Sequence, residues 1–122
     1  MAKVIVVDND RDMCRVISDV LKEEGHKVTV THDGKAAINK IKRQAHDLMI
    51  LDYKLSGISG LTVLEKAQQI RPSMQTVMIS AFGDSSTKAR AQELGAYDFL
   101  DKPFNIKRLV RVVNKALKRK GG

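Results

Sequence analysis

Asp52 closes the apolar run Leu48-Met49-Ile50-Leu51. Four apolar residues ended by a single acid read as a buried parallel strand that delivers a carboxylate to the carboxyl edge of a sheet, where open α/β folds place their chemistry. Asp52 is therefore the candidate nucleophile. Two further runs have the same form, Val4 to Val7 before Asp8-Asn9-Asp10 and Val77-Met78-Ile79 before Ser80, and a third, Tyr97 to Leu100, leads into Asp101-Lys102-Pro103. Carboxylates and an Asn side by side at one sheet edge repel each other unless a hard cation sits among them. Mg2+ takes oxygen ligands of this kind while keeping several waters, so a divalent ion is implied. Lys102 and the Ser80 hydroxyl add a cation and a donor, the parts that hold phosphoryl oxygens while charge develops in transfer. Because a carboxylate is itself a covalent nucleophile for phosphoryl groups, the set suits an acyl phosphate on Asp52.

These groups meet only if their strands lie side by side, and the periodicity along the chain supports that. Lys3 to Asp8 reads as a first strand, and Met13, Ile17, Val20 and Leu21 then recur at helical spacing between an N-cap at Asp10 and a C-cap at Gly25. Lys27 to His32 alternates weakly, as an outer strand does. Asp33-Gly34 opens a second helix with Ala37, Ile38 and Ile41 toward the sheet. After the strand ending at Asp52, the small-residue loop Ser56-Gly57-Ile58-Ser59-Gly60 precedes a third helix carrying Leu61, Leu64, Ala67 and Ile70, which Pro72 closes. Gln75 to Ser80 is a fourth strand, Asp84-Ser85-Ser86 caps a helix running to Gly95, and Tyr97 to Leu100 is a fifth strand. Asn105 caps a last helix with Ile106, Leu109, Val110, Val113 and Leu117 on one face. Five βα units with right-handed crossovers predict an open parallel sheet of order 2-1-3-4-5 with helices on both faces. That order brings Asp8, Asp52, Ser80 and Lys102 to one edge.

The bulk numbers agree with one α/β domain. The chain has 122 residues, 43% hydrophobic and 30% charged, and no apolar run longer than a strand. No signal-peptide pattern follows Met1, and a cytoplasmic location is expected. Cys14, the single cysteine, falls on a predicted helix and reads as a buried structural thiol. His26, His32 and His46 lack zinc-ligand spacing and read as surface or strand-edge residues. The stretch 118–122, Lys-Arg-Lys-Gly-Gly, reads as a tail or the start of a linker.

Taken together, Val-Asp-Asn-Asp at 7–10, Leu-Asp-Tyr-Lys-Leu-Ser-Gly-Ile-Ser-Gly at 51–60, Ile-Ser-Ala-Phe-Gly at 79–83, Gly-Ala at 95–96 and Lys-Pro-Phe at 102–104 resemble the receiver domains of bacterial two-component response regulators. The resemblance covers essentially all of residues 1–122 and implies the flavodoxin-like (βα)5 receiver fold. It implies that Asp52 takes a phosphoryl group from a phosphohistidine of a sensor histidine kinase or phosphotransfer protein. Asp8, Asn9, Asp52 and the backbone carbonyl of Lys54 match the Mg2+ ligands, and Ser80 and Lys102 match the switch hydroxyl and the phosphate-binding lysine. Phe99 matches the aromatic switch position, and the Lys102-Pro103 bond matches one usually cis, which aims the lysine inward. An output domain or a second copy would then read the face made by the fourth helix, fifth strand and fifth helix. Such a domain catalyses its own phosphorylation and dephosphorylation without a turnover substrate.

Two positions depart from the family pattern. Asn9 stands where a second acid is usual, and Ser56 stands where a proline is usual. The missing negative charge predicts weaker Mg2+ binding than in a typical receiver. Lys54 and Phe82, two residues beyond Asp52 and Ser80, occupy positions that tune water access in receivers; a long cation and a ring there predict a slowly hydrolysed aspartyl phosphate. Two rival readings stand beside this one. The run Val4 to Asp10 also fits the D-x-D strand end of haloacid-dehalogenase-type phosphatases, with Asp8 as nucleophile and Asp10 as general acid. A degenerate receiver, in which Asn9 abolishes useful phosphorylation, would serve as a binding module.

Charge is the remaining signal. Lys and Arg number 22 against 14 acids, a net +8, and the last helix supplies Lys107, Arg108, Arg111, Lys115, Lys118 and Arg119. With no second reading helix, zinc motif or interleaved aromatics, a solvated outer face is the simpler reading and direct nucleic-acid binding is not expected.

Overall fold

The computed structural model describes residues 2–81 and 83–121, the last three by their backbone alone. Five strands, β1 (Lys3–Val7), β2 (Lys27–Thr31), β3 (Leu48–Asp52), β4 (Gln75–Ser80) and β5 (Asp98–Asp101), alternate with five helices. The helices are α1 (Arg11–Glu23), α2 (Gly34–Arg43), α3 (Gly60–Ile70), α4 (Ser85–Glu93) and α5 (Ile106–Gly121). The sheet is parallel in the order β2-β1-β3-β4-β5, as the βα repeat predicts.

Alternation along each strand sends successive side chains to opposite faces, so the central strands feed two cores. Val4, Val6, Leu48, Ile50, Val77 and Ile79 pack under α1 and α5, whereas Ile5, Val7, Met49, Leu51 and Met78 pack under α2, α3 and α4. Burial on both faces is why these strands read as unbroken apolar runs. All five helices begin at an acceptor side chain that takes an N–H three residues on: Asp10 from Met13, Asp33 from Ala36, Ser59 from Thr62, Asp84 from Thr87 and Asn105 from Arg108. Each such cap is worth about 1 kcal/mol and fixes where the loop at the sheet edge ends. Gly25 follows the C-cap Glu24 at φ 92, a conformation that a side chain would strain.

The structure corrects the sequence reading in three places. The buried face of α5 is Leu109, Val112, Val113 and Ala116, while Ile106 is 41% exposed and Val110 and Leu117 lie at its flanks. Val63 joins Leu64 and Ala67 in the core, with Leu61 and Ile70 only half-buried. His46 is buried, its ring nitrogens 3.1 Å from the Gln44 carbonyl and 3.5 Å from the Thr29 hydroxyl. The helical backbone of α5 runs on to Gly121. Among the described residues no helix is long and apolar enough to cross a membrane.

Candidate functional site

The carboxyl ends of β1, β3, β4 and β5 converge on one cleft. Asp8 lies one residue past β1, where its N–H still donates to the Thr31 carbonyl at 3.2 Å and holds it in strand register. Asp52 and Ser80 are the last residues of β3 and β4. Lys102 follows β5, and its N–H donates to the Ser80 carbonyl at 2.8 Å. Asp8, Asp52 and Ser80 are all buried, at 0%, 5% and 1% exposure, so each must be satisfied by the protein or by a ligand.

The two carboxylates share one ammonium. Lys102 Nζ donates to Asp8 Oδ2 at 2.8 Å and to Asp52 Oδ2 at 3.3 Å. The Asp10 N–H donates to Asp8 Oδ1 at 2.9 Å, and the Lys54 N–H lies 3.4 Å from Asp52 Oδ1. Both acids are therefore gripped at both oxygens. Burial and the neighbouring Asp8 charge push the Asp52 carboxyl up to about 6, although Lys102 works against them. For Lys102, burial favours the neutral amine, but its hydrogen bond to Asp8 and the charge of Asp52 outweigh it and hold the group above its ordinary range. At neutral pH the pocket holds an ion triad with one negative charge in excess.

That excess fits a divalent cation. Among the described residues no cluster of three or more His, Cys, Asp or Glu could hold one. An ion here would rest on Asp8 and Asp52 together with neutral oxygens, the Asn9 amide and the Lys54 carbonyl. Such a donor set suits Mg2+, which keeps much of its water. The cleft, about 370 Å³ and open to solvent, has Asn9, Lys54 and Ser56 on its walls beside the acids.

Several features of the site were not anticipated. Asn9 and Ser56, the two positions that depart from the receiver pattern, face each other, with Asn9 Nδ2 3.5 Å from Ser56 Oγ. Below Asp8, the Cys14 thiol donates to its backbone carbonyl at 3.2 Å, and His32 Nδ1 lies 3.2 Å from the same oxygen. Burial pushes the Cys14 thiol up to about 11, in keeping with a structural group. His32 had a signal, since it directly follows the strand that pairs with β1; the convergence with Cys14 had none. Asp10 is occupied as the cap of α1, taking the Met13 N–H at 3.1 Å.

The loop after β3 is held by close backbone contact. The Gly60 N–H donates to the Tyr53 carbonyl at 2.8 Å, and a Cβ at Gly60 would run into the backbone of Asp52 and Tyr53. Phe99 is half-buried on β5 against the core under α2, α3 and α4. Lys88 of α4 lies 5.7 Å from its ring centroid and bonds Asp101 Oδ2 at 2.8 Å, so α4 and β5 are tied together over the ring. The Lys102-Pro103 bond is cis. Phe82 lies outside the described residues.

The family model for the response regulator receiver domain matches residues 4–114. The nitrogen assimilation regulatory protein NtrX of Azorhizobium caulinodans is 34% identical over 93% of this chain and 26% of its own length. Transcriptional regulatory protein CpxR of Escherichia coli is 33% identical over 98% of this chain and 50% of its own. The chain thus spans half or less of the length of these curated relatives. The crystal structure of the receiver domain of NtrX from Brucella abortus superposes with a TM-score of 0.89 at 35% identity, covering 94% of this chain and 98% of that one. This chain belongs to the receiver-domain family of two-component response regulators.

Proposed function

We propose that this domain is a phosphorylation-dependent signalling switch in which Asp52 accepts a phosphoryl group from a phosphohistidine. The observation that carries this reading is the shared Lys102 ammonium, 2.8 Å from Asp8 and 3.3 Å from Asp52, at the mouth of an open cleft. In the transfer, an Asp52 carboxylate oxygen forms the new O–P bond as the N–P bond of the phosphohistidine breaks, and the imidazole leaves with the N–P electron pair. Asp8, Asn9, Asp52 and the Lys54 carbonyl would hold Mg2+, which would supply positive charge to the phosphoryl oxygens. Lys102 moves from Asp52 onto the arriving phosphoryl group while remaining anchored to Asp8, and the Ser80 hydroxyl turns to donate to it. With a carboxyl at about 6, Asp52 is largely ionised at neutral pH and competent as a nucleophile.

The new charge biases a second packing of the domain. Ser80 and Lys102 are joined through the backbone at 2.8 Å, so a shift of the β4 end is felt at the start of α5. Phe99 then moves inward and repacks the α4, β5 and α5 face, which an output domain or a second copy reads. A histidine kinase or phosphotransfer protein in the cytoplasm is the donor. Lys54, on the wall of the cleft, shields the phosphoryl group and slows its hydrolysis.

Asp8 is the poorer candidate for nucleophile. It has no exposed surface, and Asp10, the acid a phosphatase would need, caps α1. Beryllofluoride with Mg2+, which mimics an aspartyl phosphate, tests the switch by amide NMR. Shifts spreading from Asp52 to Ser80, Phe99 and α4, absent in Asp52→Ala, are expected; shifts unaffected by that substitution would overturn the assignment. A domain silent to the mimic would be an interaction module instead.

A further inference from the structure

The net charge of this chain is almost wholly the charge of one helix. Residues 106–121 contain seven of the 22 Lys and Arg and none of the 14 Asp and Glu, so they contribute +7 of the net +8 and residues 1–105 only +1 (15 basic against 14 acidic). Helix α5 buries Leu109, Val112, Val113 and Ala116 against the sheet, which turns its cations outward. Lys107, Arg108, Arg111, Lys115 and Lys118 are all exposed. Among the described residues none of these five takes part in an ion pair, whereas the cations Arg15, Lys88 and Arg90 of α1 and α4 are paired with acids of their own surface.

We propose that the outer face of α5 binds the phosphate backbone of duplex nucleic acid without reading its sequence. At 1.5 Å per residue the cationic row from Lys107 to Lys118 is roughly 16 Å long, an axial length over which duplex DNA presents about ten phosphates. The row holds no aromatic and no central apolar anchor, which a protein partner would need for a desolvated hot spot. Point cations suffice for phosphates, because each contact releases a condensed counterion. A second reading helix and interleaved aromatics, whose absence argued against nucleic acid from the sequence, serve base readout and are not needed for backbone contact. The surface is separate from the Asp52 cleft.

Fluorescence anisotropy with a labelled 20-base-pair duplex of arbitrary sequence tests this. Binding at low salt should weaken with a slope of log affinity against log salt of about −2.7 to −4.5, corresponding to about three to five phosphate contacts. Arg111→Gln, Lys115→Gln and Lys118→Gln together should weaken it about tenfold or more. The triple Lys35→Gln, Lys42→Gln and Arg43→Gln on α2 removes the same charge from the opposite face of the sheet and should change it less than threefold. Equal losses in the two triples would show a response to net charge and overturn the assignment, as would no binding at low salt. Polyglutamate competing as well as unlabelled duplex would replace nucleic acid with an acidic protein partner.

Discussion

Lys102 stands nearer to Asp8, at 2.8 Å, than to Asp52, at 3.3 Å, so the cation that holds the pocket together leaves Asp52 the less neutralised of the two acids. Asp8 is fully buried and holds the lysine more closely, while Asp52, 5% exposed, keeps the longer contact.

This asymmetry makes Asp52 a cost to the metal-free fold. Its carboxyl sits at about 6 in the folded domain against 3.8 ordinarily, so the native state binds the additional proton in that window. Through this group, stability rises as pH falls from about 7 towards 4. Asp52→Asn should stabilise the metal-free domain at pH 7.5 by about 1–3 kcal/mol and flatten that slope, as read by urea unfolding across pH. A loss of stability at pH 7.5 would contradict the account.

His46 titrates in the opposite sense. Burial holds its imidazole below the ordinary 6.5, so the native state resists the proton and stability is lost as pH falls below that value. His46→Gln should show a smaller acid loss than wild type in the same unfolding series, and combination with Asp52→Asn should separate the two slopes.

Asn9→Asp restores an acid beside Asp8 and Asp52. Mg2+ affinity should tighten about tenfold, measured by amide NMR titration, because a unit charge is added next to a divalent ion. Without Mg2+ the same substitution should destabilise the domain by about 1 kcal/mol, since a third carboxylate joins a pocket already one charge in excess. An unchanged affinity would place the Asn9 side chain outside the ligand set.

Gly60→Ala should cost about 2 kcal/mol or more, as the methyl group meets the Asp52 and Tyr53 backbone rather than a yielding side chain. Thermal unfolding reads the loss. Retained stability would mean that the loop after β3 relaxes freely.

Much of this could be read before the fold was seen, for a physical reason. Strands buried on both faces demand unbroken apolar runs, so Leu48 to Leu51 and Val4 to Val7 announced themselves, and with them the acids at their ends. The inner face of α5 was harder. Apolar residues at 106, 109, 110, 112, 113, 116 and 117 cover more of the helix than the sheet can bury, and only packing picks Val112 and Ala116 over Ile106. The burial of His46 depends on Thr29, and the support of the Asp8 carbonyl depends on Cys14 and His32. Such partners are distant in sequence, and no local pattern marks them.

Intact-mass spectrometry after incubation with acetyl phosphate and Mg2+ tests the central claim most directly, using wild type and Asp52→Ala. The account predicts a gain of one phosphoryl group on wild type, lost on removal of Mg2+ and absent from the variant. An adduct that persists in Asp52→Ala would contradict it and return the nucleophile to Asp8, and no adduct on either protein would leave the domain a binding module.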